Sequence, residues 1–165
     1  MKIWVHDELI CPSCTDDELP LILEIENAIV DEIIDGTLSC PCCKTIYPIT
    51  GGIAVLLPEK ARKTLSISQG YNAPAMLSAY LWSHFCDLLG DANATDAYRI
   101  WSQTFWPSAG VPPDGTRTDG IALDVGCAVG RLSFELSVTH THVIGLDMSM
   151  AFIRKARDIL VWKRL

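Results

Sequence analysis

Apolar and polar residues are arranged in three different ways along the chain. Up to about residue 58, short apolar runs are broken by Cys, Pro and Gly, and from there to about residue 105 the apolar residues recur at helical spacing. From residue 120 onward, strand-like and helix-like runs alternate. The chain is therefore expected to contain three segments of different architecture.

Two glycine-containing turns are predicted in the first segment. Asp35 and Gly36 stand between apolar residues, and so do Gly51 and Gly52. Asp-Gly and Gly-Gly pairs are the residues that tight hairpin turns favour. We therefore expect one short hairpin around each pair.

The second segment is expected to be helical. One helix is predicted to begin at Pro74, which suits a first turn, and to stop at Gly90. A second is predicted from a Thr95 cap to Phe105, where a following proline ends it. Residues 107–120 include two consecutive prolines and are expected to form a loop.

The third segment predicts two strands, each followed by a helix. Residues 121–125 and 142–147 are apolar runs of strand length, and residues 131–138 have a helix-like pattern. Ser149 is a suitable cap for the last helix, whose apolar residues share one face. This alternation predicts a parallel sheet with right-handed crossovers, and hence an α/β fold.

The composition is that of a folded and soluble protein. With 49% hydrophobic and 20% charged residues, a chain of 165 residues can bury one ordinary core, or a modest core beside a small metal-stabilised domain. No apolar run is long enough to span a membrane, and Asp7 precedes any long apolar stretch. We therefore expect a cytoplasmic protein without membrane contact, whose seven cysteines stay reduced.

Four of the cysteines have the spacing of a metal site. Cys11 and Cys14 form one C-x-x-C pair, and Cys40 and Cys43 form another. Zinc binds four thiolates at tetrahedral corners, and two such pairs complete that shell, so the site is expected to be structural rather than catalytic. Cys42 competes with Cys43, but the two-residue spacer favours Cys43 and leaves Cys42 as a spare thiol.

The sequence allows three other interpretations of these cysteines. They can be unrelated buried residues, although the doubled spacing argues against this. A redox role for a single C-x-x-C pair is disfavoured, because the thioredoxin-type motif occurs in a different strand-helix context. Iron in a rubredoxin-like site is not excluded by the sequence.

The cysteines and their neighbours resemble a known zinc-ribbon family. The resemblance is carried by Cys11-Pro12-x-Cys14, Asp35-Gly36-x-Leu38-x-Cys40-Pro41-x-Cys43, Tyr47-Pro48-Ile49-x-x-Gly52-Ile53 and Leu56-Leu57-Pro58. The family is typified by the small activator subunit of tRNA and protein methyltransferases, and the likeness covers about the first third of the chain. It implies that the ribbon either activates a separate methyltransferase or is fused to one.

A glycine-containing loop is predicted after the first strand of the third segment. Residues 124–130 read Asp-Val-Gly-Cys-Ala-Val-Gly and lie between a predicted strand and a predicted helix, where glycines let a ligand approach the backbone. Asp147 ends the next strand, where a carboxylate can accept hydrogen bonds from both ribose hydroxyls. The alternative is a tight strand-to-helix turn with no ligand.

These residues resemble the first two motifs of Rossmann-like S-adenosylmethionine-dependent methyltransferases. The resemblance implies that Gly126, Cys127 and Gly130 flank the methionine and sugar of the cofactor. It further implies that Asp124 supports the amino group and that Asp147 holds the ribose. Many members carry glycine where this chain has alanine at position 128, and the same alanine breaks the G-x-G-x-x-G spacing that NAD binding requires.

Four side chains on the preceding helices are candidates for the acceptor pocket. Tyr71, Tyr80, Trp82 and His84 lie where related enzymes cover cofactor and acceptor. The simpler interpretation places the aromatic residues in the core and leaves His84 only hydrogen-bonded. No catalytic residue is assigned, because the acceptor half of such an enzyme ordinarily comes later in the sequence.

The prediction has three domains and two alternative functions. The domains are a zinc ribbon over 1–58, a helical cap and linker over 59–119, and the first β-α-β-α part of a Rossmann-like S-adenosylmethionine-binding domain over 120–165. The main hypothesis is that the chain is the N-terminal portion of a methyltransferase and is inactive alone. The acceptor of the whole enzyme is then a small molecule or a structured RNA. The alternative is a zinc-ribbon partner or activator protein that docks on a separate methyltransferase and stabilises it. A protein partner, or self-association of the fragment through the open sheet edge, is expected. The net charge of −7 argues against non-specific nucleic-acid binding.

Overall fold

The computed structural model describes residues 1–14, 18–64, 70–105 and 117–162. The chain divides into two compact units, Met1–Ser66 and Ile67–Leu165. The fold is mixed α/β, with an antiparallel sheet in the N-terminal unit and a parallel strand pair in the C-terminal unit. Within the described residues, no helix is both long enough and apolar enough to cross a lipid bilayer.

The N-terminal unit is built on a small antiparallel sheet. Its strands follow one another in the order β1-β2-β3-β4, with a 3-10 helix before them and one short helix after them. The elements are a 3-10 helix at Ile3–Glu8, β1 at Ile22–Ile29, β2 at Glu32–Ser39, β3 at Ile46–Thr50, β4 at Ile53–Ala54 and α1 at Glu59–Thr64.

The predicted turn at Asp35 and Gly36 is wrong, because β2 runs through both residues. The chain instead reverses at Val30, which has a positive φ of 56° and is 94% exposed. Apolar burial on either side of the pair keeps this segment extended. Gly36 is required for a different reason: a Cβ there would overlap the carbonyl oxygen of Glu24 on the neighbouring strand.

The predicted Gly51-Gly52 turn is confirmed. Both glycines have positive φ, 56° and 79°, as a two-residue hairpin turn between β3 and β4 requires. The Gly51 N–H donates a hydrogen bond of 3.1 Å to Oδ1 of Asp35. Asp35 therefore anchors the second turn instead of forming the first.

The core of the N-terminal unit contains two of the predicted metal ligands. Its buried residues are Met1, Cys11, Leu21, Ile33, Leu38, Cys40, Tyr47 and Ile49. The sheet therefore holds one cysteine from each C-x-x-C pair in apolar surroundings.

The C-terminal unit is mostly helical around one parallel strand pair. Its elements are 3-10 helices at Gly70–Asn72 and Cys86–Leu89, and α2 at Pro74–Phe85, α3 at Ala97–Phe105, β5 at Thr118–Val125, α4 at Arg131–Thr139, β6 at His140–Leu146 and α5 at Met150–Trp162. These positions confirm the predicted helices and strands to within a few residues. The helix predicted to run from Pro74 to Gly90 differs from the prediction at its end. α2 stops at Phe85, and a 3-10 helix over Cys86–Leu89 leads to Gly90, whose φ is 74°.

The predicted loop over 107–120 falls partly outside the described residues, which resume at 117, and its last three residues belong to β5. Strands β5 and β6 pair in parallel from Ile121↔His142 to Val125↔Leu146. Two parallel strands are too few to establish a Rossmann-like sheet, so that assignment stays a prediction.

Helices α2 and α5 and the loop after β5 share a small buried cluster of Phe85, Ala128, Val129 and Phe152, and on β5 itself Ala122 and Asp124 are buried. The alternate residues of β5 are exposed: Ile121 by 41%, Leu123 by 57% and Val125 by 75%. Strands of parallel sheets are usually covered on both faces. The described part of this unit therefore leaves one apolar strand face open.

Candidate metal centre and glycine loop

Each C-x-x-C pair sits in a tight turn fixed by backbone hydrogen bonds. The Cys11 N–H donates to the Leu19 carbonyl at 2.9 Å, and the Cys14 N–H donates back to Cys11 at 3.2 Å. At the end of β2, the Cys40 N–H donates to the Thr45 carbonyl at 3.0 Å, while the Lys44 N–H donates to Cys40 at 3.2 Å. Both turns therefore direct two sulfurs to the same side.

The four predicted ligands come together in space. The sulfurs of Cys11, Cys14, Cys40 and Cys43 all lie within 4.8 Å of one another. Cys11 Sγ is 3.7 Å from Cys43 Sγ, and Cys14 Sγ is 3.8 Å from Cys40 Sγ. A tetrahedron with metal–sulfur distances of about 2.3 Å has sulfur–sulfur edges of about 3.8 Å. The cluster therefore fits a tetrahedral zinc ion with no position left for water.

The fifth cysteine of this segment stays outside the cluster. Cys42 is exposed and is not among the converging sulfurs. The two-residue spacer thus selects Cys43 as the fourth ligand, as the sequence indicated.

The thiols of the cluster differ in how easily they ionise. A hydrogen bond with Thr45 lowers the pKa of Cys43 to about 6. Burial raises the pKa of Cys11, but the hydrogen bonds that it receives, first from the Tyr47 hydroxyl, bring it below its ordinary value. Contact with Cys43 raises the pKa of Cys14. Cys11 and Cys43, one from each pair, are therefore favoured as thiolates.

Sequence reasoning missed the group that contacts the buried thiol. Tyr47 is fully buried, and its hydroxyl lies 3.4 Å from Cys11 Sγ and 2.8 Å from Ser13 Oγ. In the sequence, Tyr47 is marked only as part of the family motif. The available signal was a tyrosine in an otherwise apolar strand, where a buried hydroxyl needs a partner.

Four thiols from two tight turns on a small antiparallel sheet have the features of a zinc ribbon. Residues 5–52 match the Trm112p-like protein family. The N-terminal segment of this chain therefore belongs to that family.

A solved structure is similar to part of the chain. It belongs to the complex between the Haloferax volcanii Trm112 methyltransferase activator and a candidate methyltransferase. The matched chain is 39% identical, the alignment covers 38% of this chain and 100% of that chain, and the TM-score is 0.34. No curated protein shows a significant match to the chain.

The glycine loop of the C-terminal unit follows β5 directly. Gly126 and Gly130 have positive φ, 81° and 85°, and so has Ala128 with 49°. The N–H groups of Gly126 and Cys127 both donate to the Leu146 carbonyl, at 2.8 and 2.9 Å. The loop is thereby tied to the end of β6. Alanine at position 128 adopts the left-handed conformation that glycine adopts more easily.

The structure brings the five predicted cofactor-binding residues to one end of the strand pair. Asp147 Oδ2 accepts the Ala128 N–H at 2.9 Å and its Oδ1 accepts the Ser149 N–H at 2.7 Å. Asp124 is buried and accepts a hydrogen bond of 2.7 Å from the Ser133 hydroxyl. Asp147 therefore faces the loop, and both of its oxygens are engaged by backbone N–H groups.

Burial also decides the chemistry of the cysteine in the loop. Cys127 is buried, which together with the two aspartates raises its pKa to about 12. It is held as a neutral thiol at physiological pH and is unsuited to act as a nucleophile.

The aromatic residues predicted near the loop separate into two groups. Tyr80 packs on Phe152 with ring centroids 4.5 Å apart, and His84 lies 4.6 Å from the ring of Tyr98, which sequence reasoning did not single out. Burial lowers the pKa of His84, and its Nδ1 is buried without a hydrogen-bond partner among the described residues. Tyr71 and Trp82 are exposed by 59% and 56%.

Proposed function

We propose that the N-terminal unit is a methyltransferase-activating module, a metal-held ribbon that binds a methyltransferase and stabilises it. The observation that carries this proposal is the four-thiol centre inside a segment that matches the Trm112p-like family. The resemblance of this segment to the activator subunit of tRNA and protein methyltransferases supplies the function. The metal folds a segment too small to be stable on its own.

Strand β1 offers a surface for such a partner. It lies at the end of the sheet and pairs only with β2 in the part of the chain that the structure describes. Ile22, Ile25 and Ile29 are exposed by 52%, 49% and 63% along it. An edge strand carries unpaired backbone N–H and C=O groups, and an added strand satisfies them while covering the apolar side chains. We expect the partner to present an apolar strand of its own.

The test is complex formation with defined methyltransferases. The full chain is to be co-expressed with each S-adenosylmethionine-dependent methyltransferase of its own genome and with the H. volcanii methyltransferase of the similar complex. We expect one stoichiometric complex on size exclusion, and a rise in that enzyme's activity. If the chain forms a complex with none of these enzymes, the proposal is contradicted.

A paired substitution locates the docking surface. Ile25→Lys places a charge on the apolar part of β1, whereas Glu26→Lys makes a charged change at the neighbouring exposed residue. We expect the first to weaken the complex at least tenfold and the second to weaken it much less. Equal effects of both would show that charge, and not the apolar strand, decides binding.

A second candidate function is cofactor binding by the chain itself. The observation that favours it is the orientation of Asp147 toward a loop with three positive-φ residues at the end of a parallel strand pair. In this proposal Gly126, Cys127 and Gly130 flank S-adenosylmethionine and Asp124 supports its amino group. The acceptor is then a small molecule or a structured RNA, and the domain limits are 1–58, 59–119 and 120–165.

Calorimetric titration with S-adenosylhomocysteine tests this second function. Asp147→Ala and Gly126→Val are expected to abolish binding, whereas Asp158→Ala, an exposed aspartate of α5, is the matched control and is expected to retain it. Binding that survives both changes in the loop would place the cofactor elsewhere. Absence of binding in the parent chain would leave the activator function alone.

A further inference from the structure

A hydrogen-bonded pair of hydroxyls stands behind the metal centre. Tyr47 lies in β3 opposite Leu38 of β2, and its ring is fully buried in the core. Its hydroxyl is 3.4 Å from Cys11 Sγ and 2.8 Å from Ser13 Oγ. Phenylalanine would fill the same space without a buried polar atom that needs a hydrogen bond. Burying the Tyr47 hydroxyl therefore costs free energy, which its hydrogen bonds with Cys11 and Ser13 offset.

The chemistry of a ligated thiolate fixes the direction of both hydrogen bonds. A metal-bound cysteine sulfur carries no proton and can only accept. The Tyr47 O–H therefore donates to Cys11. Since that proton is then used, Ser13 must be the donor in its contact with Tyr47. The result is a chain of two hydroxyls that ends on the sulfur.

Burial makes this donor more important at Cys11 than at the exposed ligand Cys43. Cys11 is 0% exposed, so water cannot reach its sulfur. Cys43 is exposed and has Thr45 Oγ1 at 3.1 Å, so solvent and a hydroxyl are both available there. Four thiolates and a divalent ion carry a net charge of about −2, which in a dry environment requires hydrogen-bond donors.

We propose that Tyr47 is a positioning residue of the metal centre: its hydroxyl, oriented by Ser13, holds the buried Cys11 thiolate in place and slows release of the metal. Partners of this kind orient metal ligands and commonly change metal affinity by about 10- to 100-fold. The inference concerns the metal centre alone and is independent of the proposed partner.

Tyr47→Phe is the direct test, because it removes one oxygen atom and keeps the ring. We expect the full-length variant to fold with metal, to bind cobalt(II) and zinc about 10- to 100-fold more weakly, and to pass zinc to a chelator faster. The sulfur-to-metal charge-transfer bands of the cobalt(II) form should move to lower energy, since the thiolate loses a hydrogen bond. Tyr71→Phe, the same change at an exposed tyrosine, is the control and should change nothing.

Ser13→Ala provides a second measurement that does not disturb the core, since Ser13 is exposed. It should shift the cobalt bands in the same direction by a smaller amount, and it decides the matter if Tyr47→Phe fails to fold. An unchanged cobalt spectrum together with an unchanged rate of zinc transfer, in whichever variant folds, would reduce Tyr47 to a packing residue and overturn the proposal.

Discussion

Replacing one buried ligand of the metal centre gives the most direct test of how this chain is held together. Cys40 is 1% exposed and its sulfur lies 3.8 Å from that of Cys14. Cys40→Ser keeps the size of the side chain nearly unchanged but exchanges a soft sulfur for a hard oxygen, which zinc binds less well at a four-sulfur site. The substitution therefore changes the metal bond and little else.

The expected loss follows from the number of ligands. Structural zinc in small domains contributes about 10 to 16 kcal/mol of apparent binding free energy, so one of four ligands carries about 3 kcal/mol. This amount corresponds to a metal affinity about 100-fold weaker. At a fixed excess of metal, a 100-fold weaker site lowers the free energy of unfolding of the N-terminal unit by about 2.7 kcal/mol.

Competition with a chromophoric chelator measures the affinity, and hydrogen-exchange mass spectrometry measures the stability of residues 1–64 separately from the rest. Cys42→Ser is the matched control, because the same exchange is made at an exposed cysteine outside the cluster. It should leave both values unchanged. A Cys40→Ser variant with the affinity of the parent chain, or a Cys42→Ser variant that loses metal equally, would refute the assignment of ligands.

Three further predictions concern packing and charge. Arg131, whose side chain is 3% exposed, pairs with Asp87 at 2.6 Å, so Arg131→Met should destabilise the C-terminal unit by about 3 kcal/mol in hydrogen exchange. The Arg131 hydrogen bond lowers the pKa of Asp87, so the native state binds fewer protons there than the unfolded state. Stability from this pair is therefore complete above about pH 5 and is lost as the pH falls through about 4 and below, a loss that Arg131→Met should lack in acid titrations. Gly36→Ala should unfold the N-terminal unit or destabilise it by about 2 kcal/mol or more in thermal melts, because the new Cβ would overlap the carbonyl oxygen of Glu24. Gly51→Ala is the control: its Cβ would enter open space, so the substitution should cost only about 1 kcal/mol, from the positive φ.

The sequence by itself determined the features that depend on spacing along the chain. Two C-x-x-C pairs identified the four converging cysteines and left out Cys42, because a two-residue spacer lets both sulfurs of one turn reach the same metal. Gly51 and Gly52 predicted a turn correctly, since both residues need positive φ. The alternation of apolar runs after residue 120 predicted the order of β5, α4, β6 and α5 for the same local reason.

The tertiary structure decided everything that depends on a neighbour distant in sequence. Asp35 and Gly36 form a pair that favours a turn, yet both lie inside β2, because burial of the strand outweighs local turn preference. The facing Glu24 carbonyl also leaves no room for a Cβ at position 36. Tyr47 meets Cys11 across 36 positions, and Arg131 meets Asp87 across 44. Local periodicity indicates neither contact, because each is created by the packing of segments that are distant in sequence. Only the tertiary structure shows that the Tyr47 hydroxyl lies beside the Cys11 thiol.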